Sequence, residues 1–289
     1  MKLKLIISNL RCFAVVISLL WLTGCSATVT QNVHLRYGNP SNAKTRENNY
    51  LIVKPEYALS YNCNTGIANW VSWQLDRTWL GNTERSDHFV PNVELPADCY
   101  VVRPSDYIGS GYDRGHLVPS GDRTHSRLGN ESTFIMTNII PQSPSNNREV
   151  WRELEEYSRE LAFQDKELYL VAGGEGIAKK IADSQVVVPE YIWKVILVLD
   201  DPTSEITAEN AKTIAVWMPN SEEVIDTDWQ DYIVSVDQVE KNTGYNFFAA
   251  LPKRVQRKIE KILVLVVKCS YRLSITVAQK IFVAAIAIN

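Results

Sequence analysis

Several features that define common protein classes are scarce or absent in this chain of 289 residues. Basic residues are not in excess: 30 Lys and Arg stand against 33 Asp and Glu, a formal net charge of −3. That balance excludes a protein that binds nucleic acid through bulk positive charge alone. The 13 Gly and 12 Pro are spread along a chain that is 45% hydrophobic, which excludes collagen, coiled coil and disorder.

Cysteine and histidine are also few, at five and four residues. No CxxC pair and no Cys/His ligand spacing occurs, which argues against a zinc cluster or a redox motif. Cys12 and Cys25 belong to the N-terminal segment, so Cys63, Cys99 and Cys269 remain for the rest of the chain. Three cysteines cannot all pair with one another, so the sequence does not decide whether Cys63 and Cys99 form a disulfide.

The N-terminus has the pattern of an export signal. A basic region precedes the apolar run 12–22 (CFAVVISLLWL), whose 11 residues are too few to cross a bilayer. The run ends in 22–25 (LTGC), which resembles a bacterial lipobox with Cys25 as the lipidated residue. We therefore expect a signal peptide over 1–24 and a periplasmic or cell-surface lipoprotein that is held on the membrane through Cys25. The alternative is an ordinary cleavage site and a secreted protein.

The remaining chain divides by pattern into three parts. A polar lead-in without a sustained period covers 25–49, and 50–261 is predicted to be one α+β domain. An amphipathic helix is expected over 147–164, with Asn146 or Asn147 as its N-cap. Alternating or β-branched runs predict strands, chiefly at 51–53, 69–75, 167–172 and 191–199.

The tail, 262–289, carries two apolar pieces that are both shorter than a membrane span. It is compatible with a terminal pair of strands, with a membrane-surface element, or with sequence that does not belong to the domain. We assign it no function.

One set of polar residues carries chemical information. The run Asp113–His116 (DRGH) is weak by itself, because a lone loop histidine is more often structural than catalytic. Asn138 follows His116 by 22 residues, and Asn147 follows it by 31. Glu155 lies eight residues beyond Asn147, about 80° past two full helical turns, so the two fall along one side of the helix. Two strands and this helix can bring all of these groups to one point.

Histidine, an amide oxygen, a carboxylate and arginine together suit phosphodiester hydrolysis. A neutral imidazole accepts a proton from the attacking water at neutral pH. A hard cation and guanidinium groups offset the negative charge that develops around phosphorus. Mg²⁺ prefers oxygen ligands and keeps most of its waters, so an asparagine oxygen and a nearby carboxylate suit it better than Zn²⁺.

Three stretches also carry a resemblance to a known family: 109–120 (GSGYDRGHLVPS), 137–142 (TNIIPQ) and 146–155 (NNREVWRELE). In this order and at this spacing they resemble the DNA/RNA non-specific endonuclease family, the ββα-metal nucleases that include the Serratia nuclease. The likeness covers roughly residues 50–255. It implies an α+β, ββα-metal (His-Me finger) nuclease fold with a central antiparallel sheet flanked by helices.

The resemblance also implies an activity and its main residues. His116 would be the general base, and Asn147 would be the sole direct protein ligand of a Mg²⁺ or Mn²⁺ ion. Glu155 would orient the water shell of that ion. Such enzymes cleave single- and double-stranded DNA and RNA with little sequence preference and leave 5′-phosphate ends, which fits recognition of the backbone and not of base edges.

Four further residues match family positions. Arg85 would hold the phosphate and its developing charge, and Arg114 would support the same region. Asn138 would position His116 or the substrate, and Asp113 would support the site without touching the metal. For Asp113 and Arg114, simple mutual pairing is the structural alternative.

Two positions depart from the family pattern, and they keep a second hypothesis open. Val90 follows Phe89 where the family often has arginine, and Asn92 replaces a common aspartate. A phosphate-facing charge is then missing, and the alternative is a catalytically silent, nucleic-acid-binding surface lipoprotein derived from this fold. A metal phosphodiesterase that acts on small nucleotides is a third hypothesis.

Overall fold

The computed structural model describes residues 32–261, together with the backbone of two short strands, Leu263–Val267 and Phe282–Ile286. The predicted signal peptide over 1–24 and the lipidation site Cys25 lie outside the described residues. None of the helices in the described part of the chain is long and apolar enough to cross a membrane.

An antiparallel sheet of eight strands, in the order β1-β2-β3-β4-β7-β10-β11-β12, forms the centre of the fold. Three two-stranded sheets, β5-β6, β8-β9 and β13-β14, accompany it in the described residues. The strands are β1 (Thr45–Arg46), β2 (Asn49–Val53), β3 (Ala58–Asn62), β4 (Ile67–Leu75), β5 (Asp113–His116), β6 (Ile139–Gln142), β7 (Glu167–Glu175), β8 (Lys179–Ile181), β9 (Val186–Val188), β10 (Tyr191–Leu199), β11 (Ala211–Pro219), β12 (Ile233–Val234), β13 (Leu263–Val267) and β14 (Phe282–Ile286).

The central sheet is buried on both faces, because successive residues of a strand point to opposite sides. In β10, Ile192 and Ile196 belong to one core, whereas Trp193 and Val195 belong to the other. We call these the near face and the far face. The near face packs against helix α2 (Trp151–Phe163), and the far face packs against α3 (Val236–Thr243) and α4 (Lys253–Ile259). A short helix, α1 (Arg127–Ser132), lies between β5 and β6 in the chain.

Residues before the predicted domain start at residue 50 also contact the central sheet. His34 is buried, its Nε2 lies 2.8 Å from the Pro55 carbonyl, and its own carbonyl accepts a hydrogen bond from Ser72 Oγ. Strand β1 also precedes residue 50. Side-chain contacts of this kind leave no hydrophobic period in the sequence, so the sequence pattern gives no sign of them.

Two open questions about the chain receive structural answers. Cys63 and Cys99 form a disulfide, with their Cα atoms 4.8 Å apart. In the tail, β13 and β14 pair as antiparallel strands with Leu263 opposite Ile286, which matches the strand-pair alternative.

Candidate active site

The sequence run Asp113–His116 forms strand β5, which pairs with β6 so that His116 lies opposite Ile139 and Asp113 opposite Gln142. This strand pairing requires glycine at position 115, because there is no room for a larger side chain. A Cβ atom at Gly115 would lie 2.1 Å from Gln142 Oε1 and 2.7 Å from Gln142 Cβ. Gln142 in turn donates a hydrogen bond to Asn146, beside the predicted metal ligand.

His116 lies in an aromatic setting and is only 7% exposed. Its ring packs edge-on against Phe134 at 4.8 Å and lies 5.5 Å from Phe89. Nε2 is buried and has no hydrogen-bond partner among the described residues. Burial, and then the positive charges of Arg85 and Arg114, lower the pKa of His116 to about 3. The imidazole is therefore neutral at physiological pH.

Asn138 supports the chain directly after His116. Its Oδ1 accepts a hydrogen bond from the Val118 amide, and its Nδ2 donates to the carbonyls of Val118 and Thr133. The residue is completely buried. Of the two roles that the sequence left open for Asn138, the contacts match positioning of the histidine strand through the backbone.

Asn147 lies in a π-helical turn, Asn146–Val150, that precedes α2. The prediction that Asn146 or Asn147 caps the helix was wrong, since neither side chain caps the turn and the regular helix starts only at Trp151. Instead, Asn147 Nδ2 donates to Asp113 Oδ2 at 2.9 Å. A π turn adds a residue to the helical path and so re-aims its side chains, a feature often found at functional sites.

Asp113 holds this amide in place. Arg148 donates hydrogen bonds to both carboxylate oxygens of Asp113, at 2.6 and 2.7 Å. Asn147 donates a further hydrogen bond to Oδ2 of the same carboxylate. Burial alone would raise the pKa of Asp113, but the hydrogen bonds from Arg148 and Asn147 outweigh it and lower that pKa below its ordinary value. The predicted alternative, pairing of Asp113 with Arg114, is not what forms, because Arg148 is the partner.

Both predicted arginines lie on the wall of a pocket of about 350 Å³. Arg85 Nη1 donates to Ser120 Oγ, and the guanidinium of Arg114 stacks 4.2 Å from the Phe89 ring centre. The pocket is lined by Arg85, Asp87, Phe89, Pro104, Tyr107, Ile108, Tyr112, Asp113, Arg114 and Asn147. Asp113 and Asn147 thus share one wall with the two arginines, whereas His116, Asn138 and Glu155 are not part of it.

Glu155 lies one turn into α2, where burial is the largest influence and raises its pKa. The positive charges of Lys194, Arg159 and Arg85 oppose this effect, and the negative charge of Asp122 adds to it. Arg85 acts electrostatically on both Glu155 and His116, so the fold brings the two predicted residues near the same guanidinium.

Several supporting residues were missed by the sequence patterns. Arg159, one turn after Glu155, forms an ion pair with the buried Asp122 at 3.1 Å. Asn220 donates to the carbonyls of Pro141 and Pro189, and it accepts a hydrogen bond from the Ser143 amide, which ties β6 to the turn that carries Asn147. Only Arg159 left a trace in the sequence, as it lies at a helical i+4 position from Glu155.

The sheet, the histidine hairpin and the following helix define a ββα-metal nuclease fold. The family model for DNA/RNA non-specific endonucleases matches residues 35–254, and the chain belongs to that family of non-specific nucleases.

Similar proteins of this family come from bacteria and from mitochondria. A nuclease of Nostoc sp. (strain PCC 7120 / SAG 25.82 / UTEX 2576) is 48% identical over 255 residues, which cover 83% of this chain and 93% of that protein. The human mitochondrial nuclease EXOG is 30% identical over 211 residues, covering 68% of this chain and 56% of the relative. The crystal structure of an EndoG/EndoGI complex, which concerns inhibition of EndoG, superposes with a TM-score of 0.64 and 25% identity over 76% of this chain and 92% of the other.

Proposed function

We propose that this nuclease is a Mg²⁺-dependent endonuclease that hydrolyses phosphodiester bonds of DNA and RNA and leaves 5′-phosphate ends. Mn²⁺ would serve in place of Mg²⁺. One observation carries the proposal: the side-chain amide nitrogen of Asn147 donates a hydrogen bond to Asp113, which lies on the same strand as the neutral His116. The Asn147 oxygen is then left for a cation.

The donor set fits a hard divalent ion. With Nδ2 of Asn147 bound to Asp113, the atom of this amide that remains for a ligand is an oxygen. The pocket wall, within the part of the chain that the structure describes, offers this oxygen and the carboxylates of Asp87 and Asp113, and it contains no cysteine or histidine. Oxygen donors in small number are what Mg²⁺ takes, because it keeps most of its waters. When bound, such an ion would offset the negative charge that develops on the phosphoryl group.

The chain's own residues would then do the following. His116 accepts a proton from the attacking water, and its low pKa keeps it in the proton-accepting form. Arg85 and Arg114 bind phosphate oxygens from the pocket wall. Glu155 accepts hydrogen bonds from waters in the site, and Asn138 holds the backbone after His116. These contacts address the phosphate backbone, so both sugars and all sequences are accepted.

A cleavage assay tests the proposal. The purified mature protein should nick plasmid DNA and degrade RNA with Mg²⁺, and it should lose both activities in EDTA. His116→Ala should lower kcat roughly 10²–10⁴-fold, the range that general-base catalysis supplies. His88→Ala is the matched control, since His88 is exposed and lies outside the proposed machinery. A His116→Ala variant as active as the His88→Ala control would contradict the assignment.

The same assay separates the silent alternative. A catalytically silent binding protein would retain DNA with an affinity that falls steeply with salt, and it would show no cleavage with any metal. Comparing a dinucleotide with a long duplex as substrate would identify a small-nucleotide phosphodiesterase.

We also propose that the protein is an exported lipoprotein with Cys25 as its acylated residue. The signal-like run 12–22 and the 22–25 (LTGC) sequence support this proposal. A Cys63–Cys99 disulfide is compatible with it, since such bonds persist in oxidising compartments outside the cytosol. The full chain should partition with membranes, and Cys25→Ser should release it to the soluble fraction. A wild-type protein that is soluble without detergent would contradict membrane attachment.

A further inference from the structure

Lys194 is an unusual residue for its position. It lies in the middle of β10, between Ala172 of β7 and Val216 of β11, and it is only 1% exposed. Its Nζ has no hydrogen-bond partner among the described residues. A buried ammonium is costly unless other groups compensate it. A leucine or methionine would fill a central strand without that cost, so the charge needs an explanation.

The surroundings of Lys194 come from α2 and β4, on the near face of the sheet. The ammonium lies 4.0 Å from the ring centre of Trp151 and 5.7 Å from that of Trp73. Such cation–π contacts offset part of the desolvation cost. The indole nitrogen of Trp73 also donates to Asp122 at 2.9 Å, so the same ring connects Lys194 to the buried acid.

Two acids and two bases meet in this region. Glu155 exerts the largest favourable charge interaction on Lys194, Asp122 exerts the next, and Arg159 opposes them. Arg159 and Asp122 are already paired with each other, at 3.1 Å. With Asp122 taken by Arg159, Lys194 is the cation that remains to act on Glu155 through space, since its ammonium lies over Trp151, one helical turn before Glu155, and has no hydrogen-bond partner among the described residues.

From this geometry we infer that Lys194 is a positioning residue, whose buried ammonium holds Glu155 as a carboxylate directed at the active site. This role rests on the proposed role of Glu155 in orienting water near Asn147. Without Lys194, Glu155 would be a buried acid whose remaining neighbours are the already paired Arg159 and Asp122 and the more distant pocket residue Arg85. It would then take up a proton and lose its ability to accept hydrogen bonds from two directions.

Activity per folded molecule separates this role from a merely structural one. Removing one partner of a buried charge pair leaves the other charge uncompensated and usually destabilises a protein. Lys194→Met is therefore expected to lower the urea midpoint of unfolding, and kcat per folded molecule should also fall about 10–100-fold at neutral pH, with KM little changed. Lys241→Met, at an exposed position of α3, is the matched control and should change neither quantity. Loss of activity in proportion to loss of folded protein would overturn the inference.

Two readouts do not need cleavage. The protonated carboxyl stretch in the infrared should be stronger in Lys194→Met than in the wild type at pH 7, and the added intensity should vanish in the Lys194→Met/Glu155→Gln double variant. Titration of Mn²⁺ into the protein should show weaker binding in Lys194→Met than in Lys241→Met. A Lys194→Met protein with the infrared intensity and the Mn²⁺ binding of the wild type would refute the inference.

A double-variant comparison distinguishes failure of this inference from failure of the proposed function. If Lys194 acts through Glu155, Lys194→Met should cause no further loss of kcat in a Glu155→Gln background. If Glu155→Gln alone cleaves like the wild type, the proposed role of Glu155 fails, while the infrared result still reports whether Lys194 holds its charge. Full, additive losses from the two changes would refute the coupling itself.

Discussion

The two faces of the central sheet are built from the same strands, yet they differ in chemistry. On the far face, β10 contributes Trp193, Val195 and Leu197, and the tryptophan packs against Phe247 at 5.4 Å between ring centres. On the near face, the same strand contributes Ile192, Lys194 and Ile196. One strand thus carries an apolar side and a side with a charge at its centre.

This difference shows where the fold gives up stability for function. A residue on the far face contributes to stability through hydrophobic burial and dispersion. On the near face, His116 and Lys194 are buried and Glu155 is half-buried, and the pKa values of all three are moved away from their ordinary values because desolvation disfavours their charged forms. Buried, perturbed ionisable groups cluster at functional sites. The near face should therefore respond to substitution mainly in activity, and the far face mainly in stability.

The largest effect is expected at Asn147, the proposed metal ligand on the near face. Asn147→Ala removes the oxygen that Asp113 orients, and with it the only direct protein contact proposed for the cation. We expect kcat at saturating Mg²⁺ to fall about 10³-fold, since metal stabilisation of the transition state is worth several kcal/mol. Unfolding in urea should change little. Retention of near wild-type cleavage would remove Asn147 from the site.

On the far face, Trp193→Ala should produce the opposite result. A completely buried indole is lost from the aromatic cluster, and such truncations cost about 3–5 kcal/mol of unfolding free energy. The specific activity of the protein that remains folded should match the wild type. A low specific activity at full folding would show that the two faces are coupled, and the comparison would fail.

Gly115→Ala probes the boundary between stability and function. The added methyl group meets Gln142, whose side chain bonds Asn146 next to Asn147. We expect a loss of about 1–3 kcal/mol, as in other overpacked sites, accompanied by a loss of activity that exceeds the unfolded fraction. Gly109→Ala is an informative contrast, because a Cβ there meets nothing within 4 Å, although its φ of +70° adds backbone strain. Equal activity losses in both variants would argue against the packing explanation.

The last prediction concerns the pH dependence of stability. The pKa of His116 is about 3 in the folded state, against an ordinary value of 6.5. The unfolded chain binds the proton first, so this group's contribution to stability is complete above pH 6.5 and is lost as the pH falls toward 3. The slope should be up to about 1.4 kcal/mol per pH unit. Urea unfolding from pH 7 to 4.5 should show a shallower slope for His116→Gln. Identical slopes would mean that the imidazole titrates normally.

Much of the site could be predicted from the sequence because its residues lie in short, ordered stretches. His116, Asn147 and Glu155 follow one another through a hairpin and a helix, so their separations in the chain are those of one small structural unit. Alternation likewise predicted the long strand β4, and runs of β-branched and aromatic residues predicted β7 and β10, which the structure confirms. The ββα-metal nuclease fold itself is confirmed.

Other features depend on contacts between distant parts of the chain. The N-cap prediction for the helix failed because the Asn147 side chain instead donates a hydrogen bond to Asp113, 34 residues earlier in the chain. Asn220 reaches back 77 residues to Ser143, and no local pattern marks it. The sequence shows Lys194 as a charge within an apolar strand, but only the structure shows that its ammonium packs on the ring of Trp151.

By itself, the sequence determined the α+β class of the fold, the order of the chemical groups and the need for a few placed arginines instead of a basic surface. Those properties follow from local periodicity, composition and spacing, which are written along the chain. Only the tertiary structure decided that His116 is held neutral, that Asn147 presents its oxygen, and that Lys194 faces the helix of Glu155. Burial and charge act through space, so proton affinity and side-chain orientation exist only once the sheet, hairpin and helix have packed together.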